Sequence, residues 1–465
     1  MENETVKLPL KIATRVEAEL IKQGVIESKP GRFQIAFTEE QLSHITSLEF
    51  INPIEGDLSC LTHFKNLTKL EVSTKGDLRY NPDKKLSGIS FNDMVVIEGL
   101  ESLEDLKITN QRNLEFVDLS KLKNLKSLSL TRNPNLQQIT GLTTNDSIKS
   151  LEIYDCESLE KIVDKKIGNP QTTLSDFICN NRNLESLNLD MLLFPQVIGY
   201  NVRNKNYDMN SIDRLKHIKN IKWSESCANR LISISNSQMY DIHQKAKQIV
   251  DETCPGFNAL DNVISINRWL AENVRYDYNA LNLRKETNGK IYSHIGLVAA
   301  KDGPMKGALI PSGPTNGPNG LYNALKFKFC VCEGYSRAMQ YMCGLKGITT
   351  SKVSCIAKED NTGYVDSSKS IDSPEYMKLP DDGFHSICRV DYQGNGYYYC
   401  DPCWNAGCFQ ANNKSLPYTM LTQNEIKKTH TLCFYERGIS SIPFHKPTLN
   451  QSKQAVEQRF SNKEM

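Results

Sequence analysis

Three residues in the C-terminal half of this 465-residue chain are of the types that acyl transfer through a thioester needs: Cys332, His385 and Asp401. Cys332 stands where an amphipathic helical pattern begins. Met339, Met342, Cys343 and Leu345 can cover one face of that helix, and Gly347 can end it. A thiol at a helix N-terminus sees unpaired backbone N–H groups and the positive end of the macrodipole, and a neighbouring imidazolium adds to both. Gly334 removes bulk beside the sulfur. His385 opens the run His-Ser-Ile-Cys-Arg-Val, Tyr397–Cys400 forms a second apolar run, and Gln393-Gly394-Asn395-Gly396 between them is a hairpin turn signal. A turn centred near Gly394 sets residue 385 opposite residue 403, which leaves Asp401 diagonally adjacent on the same sheet face. In that register Cys332 attacks an amide carbonyl, His385 shuttles the proton, Asp401 fixes the imidazole tautomer, and the Cys332 backbone N–H holds the oxyanion.

The same residues have blander readings. Cys332 can be a small buried hydrophobe, His385 a satisfied strand histidine and Asp401 a turn-capping carboxylate. Cys330-x-Cys332 with Cys400-x-x-Cys403 can supply four thiolates to zinc, or either pair can be redox-active, although the Asp-Pro inside the second pair fits the triad better. His430, in Lys-Lys-Thr-His-Thr-Leu, reads as structural, and Trp404 reads as a wall of the site.

Positioning such a site falls to the chain after about residue 236, where Val263, Ile266, Leu270 and Val274 mark an amphipathic helix. Residues 284–320, rich in Gly, Pro, Lys and Asn, read as an exposed or mobile loop, and Lys358 to Asp382 as a polar insertion. The earlier half is repetitive. Ile-Thr-Ser-Leu-Glu-Phe and its relatives place marked residues at Leu48, Leu70, Leu106, Leu128, Leu151, Leu187 and Ile221. The steps are 22, 36, 22, 23, 36 and 34, three of them inside a period of about 20–29 residues. Each segment is a short strand whose inward face only stacked neighbours can bury. The outward residues Thr68, Lys69, Glu71, Lys126, Ser127, Ser129, Glu152 and Asn188 are polar and would line a concave surface. Ile12, Val16 and Leu20 mark a capping helix ahead of the array.

Fifty-six basic and 54 acidic residues leave a formal charge of +2, so no global field points to nucleic acid or membrane. No secretory h-region and no membrane-length apolar run is visible, and 14 cysteines are too few for a disulfide framework. Reduced thiols in a cytosol-like compartment follow.

Cys332-Glu333-Gly334-Tyr335-Ser336, His385 and Asp401-Pro402-Cys403-Trp404, with a helix ending in Arg275-Tyr276-Asp277 ahead of them, resemble the motifs of the transglutaminase-like superfamily in order and rough spacing. That resemblance covers about 240–437, and the repeats resemble bacterial-type leucine-rich repeats over about 36–235. Together they imply an α/β leucine-rich repeat solenoid followed by an α+β papain-like, transglutaminase-like domain. The expected divisions are a helical cap at 1–35, repeats at 36–235, a catalytic domain at 236–445 and a solvated polar tail at 446–465. The resemblance also implies that Tyr322 gives a second oxyanion donor and that Trp404 borders the substrate. Ile387 stands where the family usually has Trp, Cys403 where it often has Thr, and Cys330 where it often has Gly; none of these removes a reacting group. The activity implied is transamidation or deamidation of a protein glutamine, with neither metal nor cofactor, and with the repeats recruiting the protein substrate. A papain-like cysteine protease is the alternative, and a catalytically inactive protein-binding scaffold the second. The pairing of the two parts implies a bacterial effector working in its own or a host-cell cytosol.

Overall fold

A computed structural model describes residues 5–28, 32–51, 59–73, 100–111, 114–133, 136–142, 145–156, 159, 161–162, 174–198, 200–201, 206–207, 215–227, 230–254, 258–277, 296–299, 309–312, 320–357, 384–392, 396–410, 416–432 and 446–461. The chain divides into two units between Lys222 and Trp223.

In the first unit, helix α1 (Leu10–Lys22) buries Ile12, Val16 and Leu20, one stripe of a 3.6-residue period. Six strands follow: β1 (Ser47–Ile51), β2 (Lys69–Ser73), β3 (Asp105–Thr109), β4 (Ser127–Thr131), β5 (Ser150–Tyr154) and β6 (Ser186–Asp190). They pair in parallel with Leu48, Leu70, Leu106, Leu128, Leu151 and Leu187 in one register row. All six leucines are buried. This is a leucine-rich repeat array, one strand per marked leucine. Its unpaired backbone groups are met by buried amides of the next repeat: Asn133 Nδ2 donates to Ile108 O at 3.0 Å and Asn181 Nδ2 to Ile148 O at 2.9 Å. Across the outer face, Lys107 pairs with Glu71 at 2.8 Å, and Glu152 accepts from Ser129 at 2.7 Å and Asn188 at 2.8 Å. Three shorter parallel strands, Phe116–Asp118, Gln138–Thr140 and Lys161–Ile162, form a second ladder.

The last repeat-like segment behaves differently. Strand β7 (Asn220–Cys227) starts beside β6 through Asn220 N–H to Glu185 O at 3.1 Å, then pairs antiparallel with β8 (Arg230–Ile234). Ile221 is only half-buried, while Trp223 is fully buried and donates Nε1–H to Asn236.

After β8 the second unit continues with α2 (Asn236–Thr253), started by a Ser235–Gln238 capping box, and α3 (Ala259–Asn273), capped by Asn258. Val263, Ile266 and Leu270 in α3, and Val274 after it, are all buried. Helix α4 (Cys332–Leu345) packs on a four-stranded antiparallel sheet of order β11-β10-β9-β12. Its strands are β9 (Thr350–Ala357), β10 (Phe384–Asp391), β11 (Tyr397–Cys400) and β12 (His430–Leu432). Helix α5 (Pro402–Gln410) leaves β11 directly. Val353, Cys355, Ile387, Tyr399 and Ile426 form the core of the sheet's packing.

Two expectations change here. Within 284–320, Gly296–Ala299 and Leu309–Ser312 pair as antiparallel strands; most of the rest of that segment, and the insertion from Lys358 to Asp382, lie outside the described residues. The stretch from Lys446, expected as a solvated tail, is helix α6 (Lys446–Ser461). Ser452 and Val456, four residues apart, are its buried contacts, too few apolar positions to show as a period. Arg268 of α3 holds it, pairing with Glu457 at 3.2 Å between the rings of Phe409 (4.1 Å) and Phe460 (5.4 Å).

Candidate active site

Cys332 is the first residue of α4, and the cap before it, Val331, is extended and offers no side-chain acceptor. No side chain caps this helix start, and the Gly334 N–H is taken by Val331 O at 2.9 Å. Three contacts fix this helix end. Arg275–Tyr276 pairs in parallel with Phe329–Cys330 just upstream. Tyr335 Oη donates to Val274 O at 2.8 Å, and Ser336 Oγ donates to Ser386 O at 2.9 Å, next to His385.

His385 lies on β10 and is buried. The ladder pairs Cys388 with Cys400 and Val390 with Tyr398, so residue 385 projects opposite residue 403, as a turn centred on Gly394 requires. The turn residues 393–395 themselves lie outside the described residues. Asp401, wholly buried, sits between β11 and α5. Its Oδ1 accepts the Trp404 N–H at 3.0 Å, capping α5 with Pro402 at the first helical position. Its Oδ2 accepts from His385 Nε2 at 2.8 Å. Cys332 lies near enough to His385 to help raise it, and with Nε2 given to Asp401 the ring nitrogen left for the thiol is Nδ1. Cys332, His385 and Asp401 thus meet in one chain of contacts.

A fourth residue joins them. His430 Nε2 lies 3.1 Å from the same Asp401 Oδ2, and its ring stacks on His385 at 5.4 Å. Trp404 covers both rings, at 5.7 Å from His385 and 4.5 Å from His430, and Tyr418 closes edge-on behind it at 5.1 Å. In the sequence alone His430 reads as structural. Its signal was faint: a histidine within a short β-alternating segment directly after the Thr422–Glu425 capping box. Tyr322 lies just before the turn Asn323–Phe327, and its ring packs edge-on against Phe327 at 5.5 Å.

The electrostatics follow from burial against pairing. Burial alone would lower His385; the Asp401 charge and hydrogen bonds with Asp401 and Cys332 outweigh it and push His385 up to about 10. Burial alone would raise Asp401, yet the His385 charge and the hydrogen bonds from His385 and His430 hold it well below the usual carboxylate range. Burial wins at His430, which is pushed down and stays neutral. Burial likewise pushes Cys400 up to about 12 and Cys343, Cys388 and Cys403 well up, so these remain protonated packing residues. Cys332 is partly exposed.

The four-cysteine zinc alternative does not form: among the described residues, the only His, Cys, Asp and Glu side chains grouped closely enough to share an ion are His385, Asp401 and His430. Their Nε2–Oδ2 separations of 2.8 and 3.1 Å are those of N–H···O⁻ hydrogen bonds. Among the described residues no helix is long and apolar enough to cross a membrane.

No family model matches the chain, and no curated protein does. Solved structures similar to part of it include an internalin C2 from Listeria monocytogenes, 19% identical, covering 48% of this chain and 99% of that one with a TM-score of 0.23. A second internalin from the same organism is 13% identical and covers 46% of this chain and 91% of its own, with a TM-score of 0.15.

Proposed function

We propose that the second unit is a cysteine acyl-transferase of transglutaminase type, acting on a protein glutamine by transamidation or deamidation. The observation that carries this is His385, bound to the buried Asp401 carboxylate at 2.8 Å, with Cys332 beside it at a helix N-terminus. The Cys332 sulfur attacks the side-chain amide carbon, and the Cys332 backbone N–H takes the developing oxyanion. Collapse breaks the C–N bond, ammonia leaves with the proton held by His385, and a thioester remains. A lysine amine then attacks to give an isopeptide bond, or water attacks to give glutamate; His385 accepts the nucleophile's proton and the sulfur departs. Trp404 and Tyr418 border the imidazole, and Tyr322 is assigned as the second oxyanion donor.

The repeat array recruits the protein substrate on its polar outer face, raising its local concentration at the thiol. Such a pairing fits an effector working in the cytosol of another cell. Incubation with casein and a fluorescent primary amine tests the chemistry on a gel. Fluorescent casein without fragments, absent with Cys332→Ala, is the expected result. Fragments without fluorescence favour a papain-like protease. Neither product, with Cys332 alkylated no faster in the wild type than in His385→Ala, leaves a protein-binding scaffold.

A further inference from the structure

One oxygen of Asp401 receives two imidazoles, and the reaction proposed above uses only one of them. His430 is fully buried on β12, with Nε2 3.1 Å from Asp401 Oδ2 and its ring tilted 29° from that of His385. Its other nitrogen, Nδ1, lies 2.9 Å from Thr429 Oγ1. That hydroxyl has a single hydrogen and two candidate acceptors, Nδ1 and Ile426 O at 3.3 Å. A neutral imidazole facing a carboxylate must carry its proton on Nε2, so Nδ1 is the acceptor and the hydroxyl hydrogen goes to it.

We propose that His430 is a positioning residue of the same centre: its Nε2–H, facing the carboxylate, clamps Asp401 so that Asp401 can anchor His385. The inference rests on the triad reading and adds a fourth member that never touches substrate. A ring kept only to fill space would not need its N–H aimed at the oxygen that serves His385. The other titratable groups around Asp401 are His385 and Cys388 from β10, Cys400 from β11, and Cys403 and Cys408 from α5. Burial raises all four of these thiols, so they add no charge. The Asp401 carboxylate therefore depends on the two histidines and the Trp404 N–H for its compensating contacts. Without the His430 donor, a dry carboxylate with one partner fewer accepts a proton more readily. The carboxylate's hold on His385 then weakens.

The test is the rate of iodoacetamide alkylation of Cys332 in the full chain, followed by mass spectrometry between about pH 4 and 8. Wild type, His385→Ala, His430→Phe and His430→Gln are compared. Phenylalanine keeps a flat ring against His385 but has no donor; glutamine keeps an N–H and loses the ring. The expected result is Cys332 alkylation slowed about tenfold in His430→Phe and returned toward the wild-type rate in His430→Gln. The reverse order, or both variants matching wild type while His385→Ala does not, overturns the inference and leaves the triad standing. An unchanged His385→Ala profile rejects the triad itself. Should His430→Phe not fold, 15N chemical shifts of His430 in the wild type decide the matter, and an Nδ1–H tautomer overturns it. A stoichiometric divalent ion in purified wild-type protein, lost in His430→Gln, also overturns it.

Discussion

Replacing Asp401 with asparagine removes a charge and keeps the shape, and so isolates what the carboxylate does for His385. Burial opposes the His385 imidazolium; the Asp401 charge, with hydrogen bonds to Asp401 and Cys332, lifts it from 6.5 to about 10. A rise of that size corresponds to about 5 kcal/mol of preference for the charged ring. In Asp401→Asn the burial penalty stays and the largest opposing effect goes. Only the Cys332 contribution then still raises the ring, and His385 titrates well below its wild-type value of about 10. The asparagine Oδ1 still caps α5 at the Trp404 N–H, so the helix start survives. Its Nδ2 hydrogens, however, meet the Nε2–H of both histidines, and at least one ring must change tautomer or turn away. The expected losses are about 1–3 kcal/mol of stability and about 10³–10⁴ in turnover. Histidine-selective 15N NMR reads the titration directly, with His385→Ala giving the assignment. A His385 signal that titrates near 6.5 in the wild type, or one left unmoved by Asp401→Asn, refutes the reasoning.

Four further outcomes are expected. His385 keeps its proton to about 10 when folded and to about 6.5 when unfolded, so its contribution is whole below pH 6.5 and drains as pH rises toward 10, by about 1.4 kcal/mol per pH unit. Chemical denaturation at rising pH should show that slope and lose it in His385→Ala. On the acid side, Asp401 supplies stability that is lost as pH falls through its lowered folded value, and His430, pushed down, adds a cost once pH drops below 6.5. Ser336→Ala removes the bond that ties α4 to Ser386 O; a loss of about 1 kcal/mol in thermal melts and about tenfold slower turnover are expected. Gly141 has φ +75°, and an added Cβ would meet the backbone of Leu119 and Ser120, so Gly141→Ala should destabilise the repeat unit by about 3 kcal/mol or more by circular dichroism.

The repeat rows were legible because each leucine strand is a local alternation, and Leu48 through Leu187 fall in one register row. The second ladder was not: strands of two or three residues, such as Lys161–Ile162, have no period of their own and exist because a neighbouring repeat pairs with them. The asparagines show the same limit. Asn110 and Asn133 both look like turn residues, yet Asn110 sits at φ 61° on the turn while Asn133 reaches back to Ile108 O. In the second unit the hairpin arithmetic was local and gave the observed Cys388–Cys400 register. Helix α6 was hidden because its hold depends on Arg268, far away in the chain. His430 was hidden for the same reason, since its meaning comes from Asp401.

Asp401 also shows why two sequence readings that look exclusive need not be. A turn-capping carboxylate and an orienting carboxylate compete only if they need the same lone pairs, and a carboxylate offers about four acceptor positions on two oxygens. Here Oδ1 is committed to the Trp404 N–H and Oδ2 to the histidines. Proline at 402 strengthens the division, because the first helical position then has no N–H to compete for the carboxylate. The cap fixes the side-chain torsions, and those torsions aim Oδ2 at His385. The helix that begins at Pro402 therefore orients the residue that orients the imidazole. Keeping that aim in a buried carboxylate with three donors costs little conformational freedom that folding had not already removed.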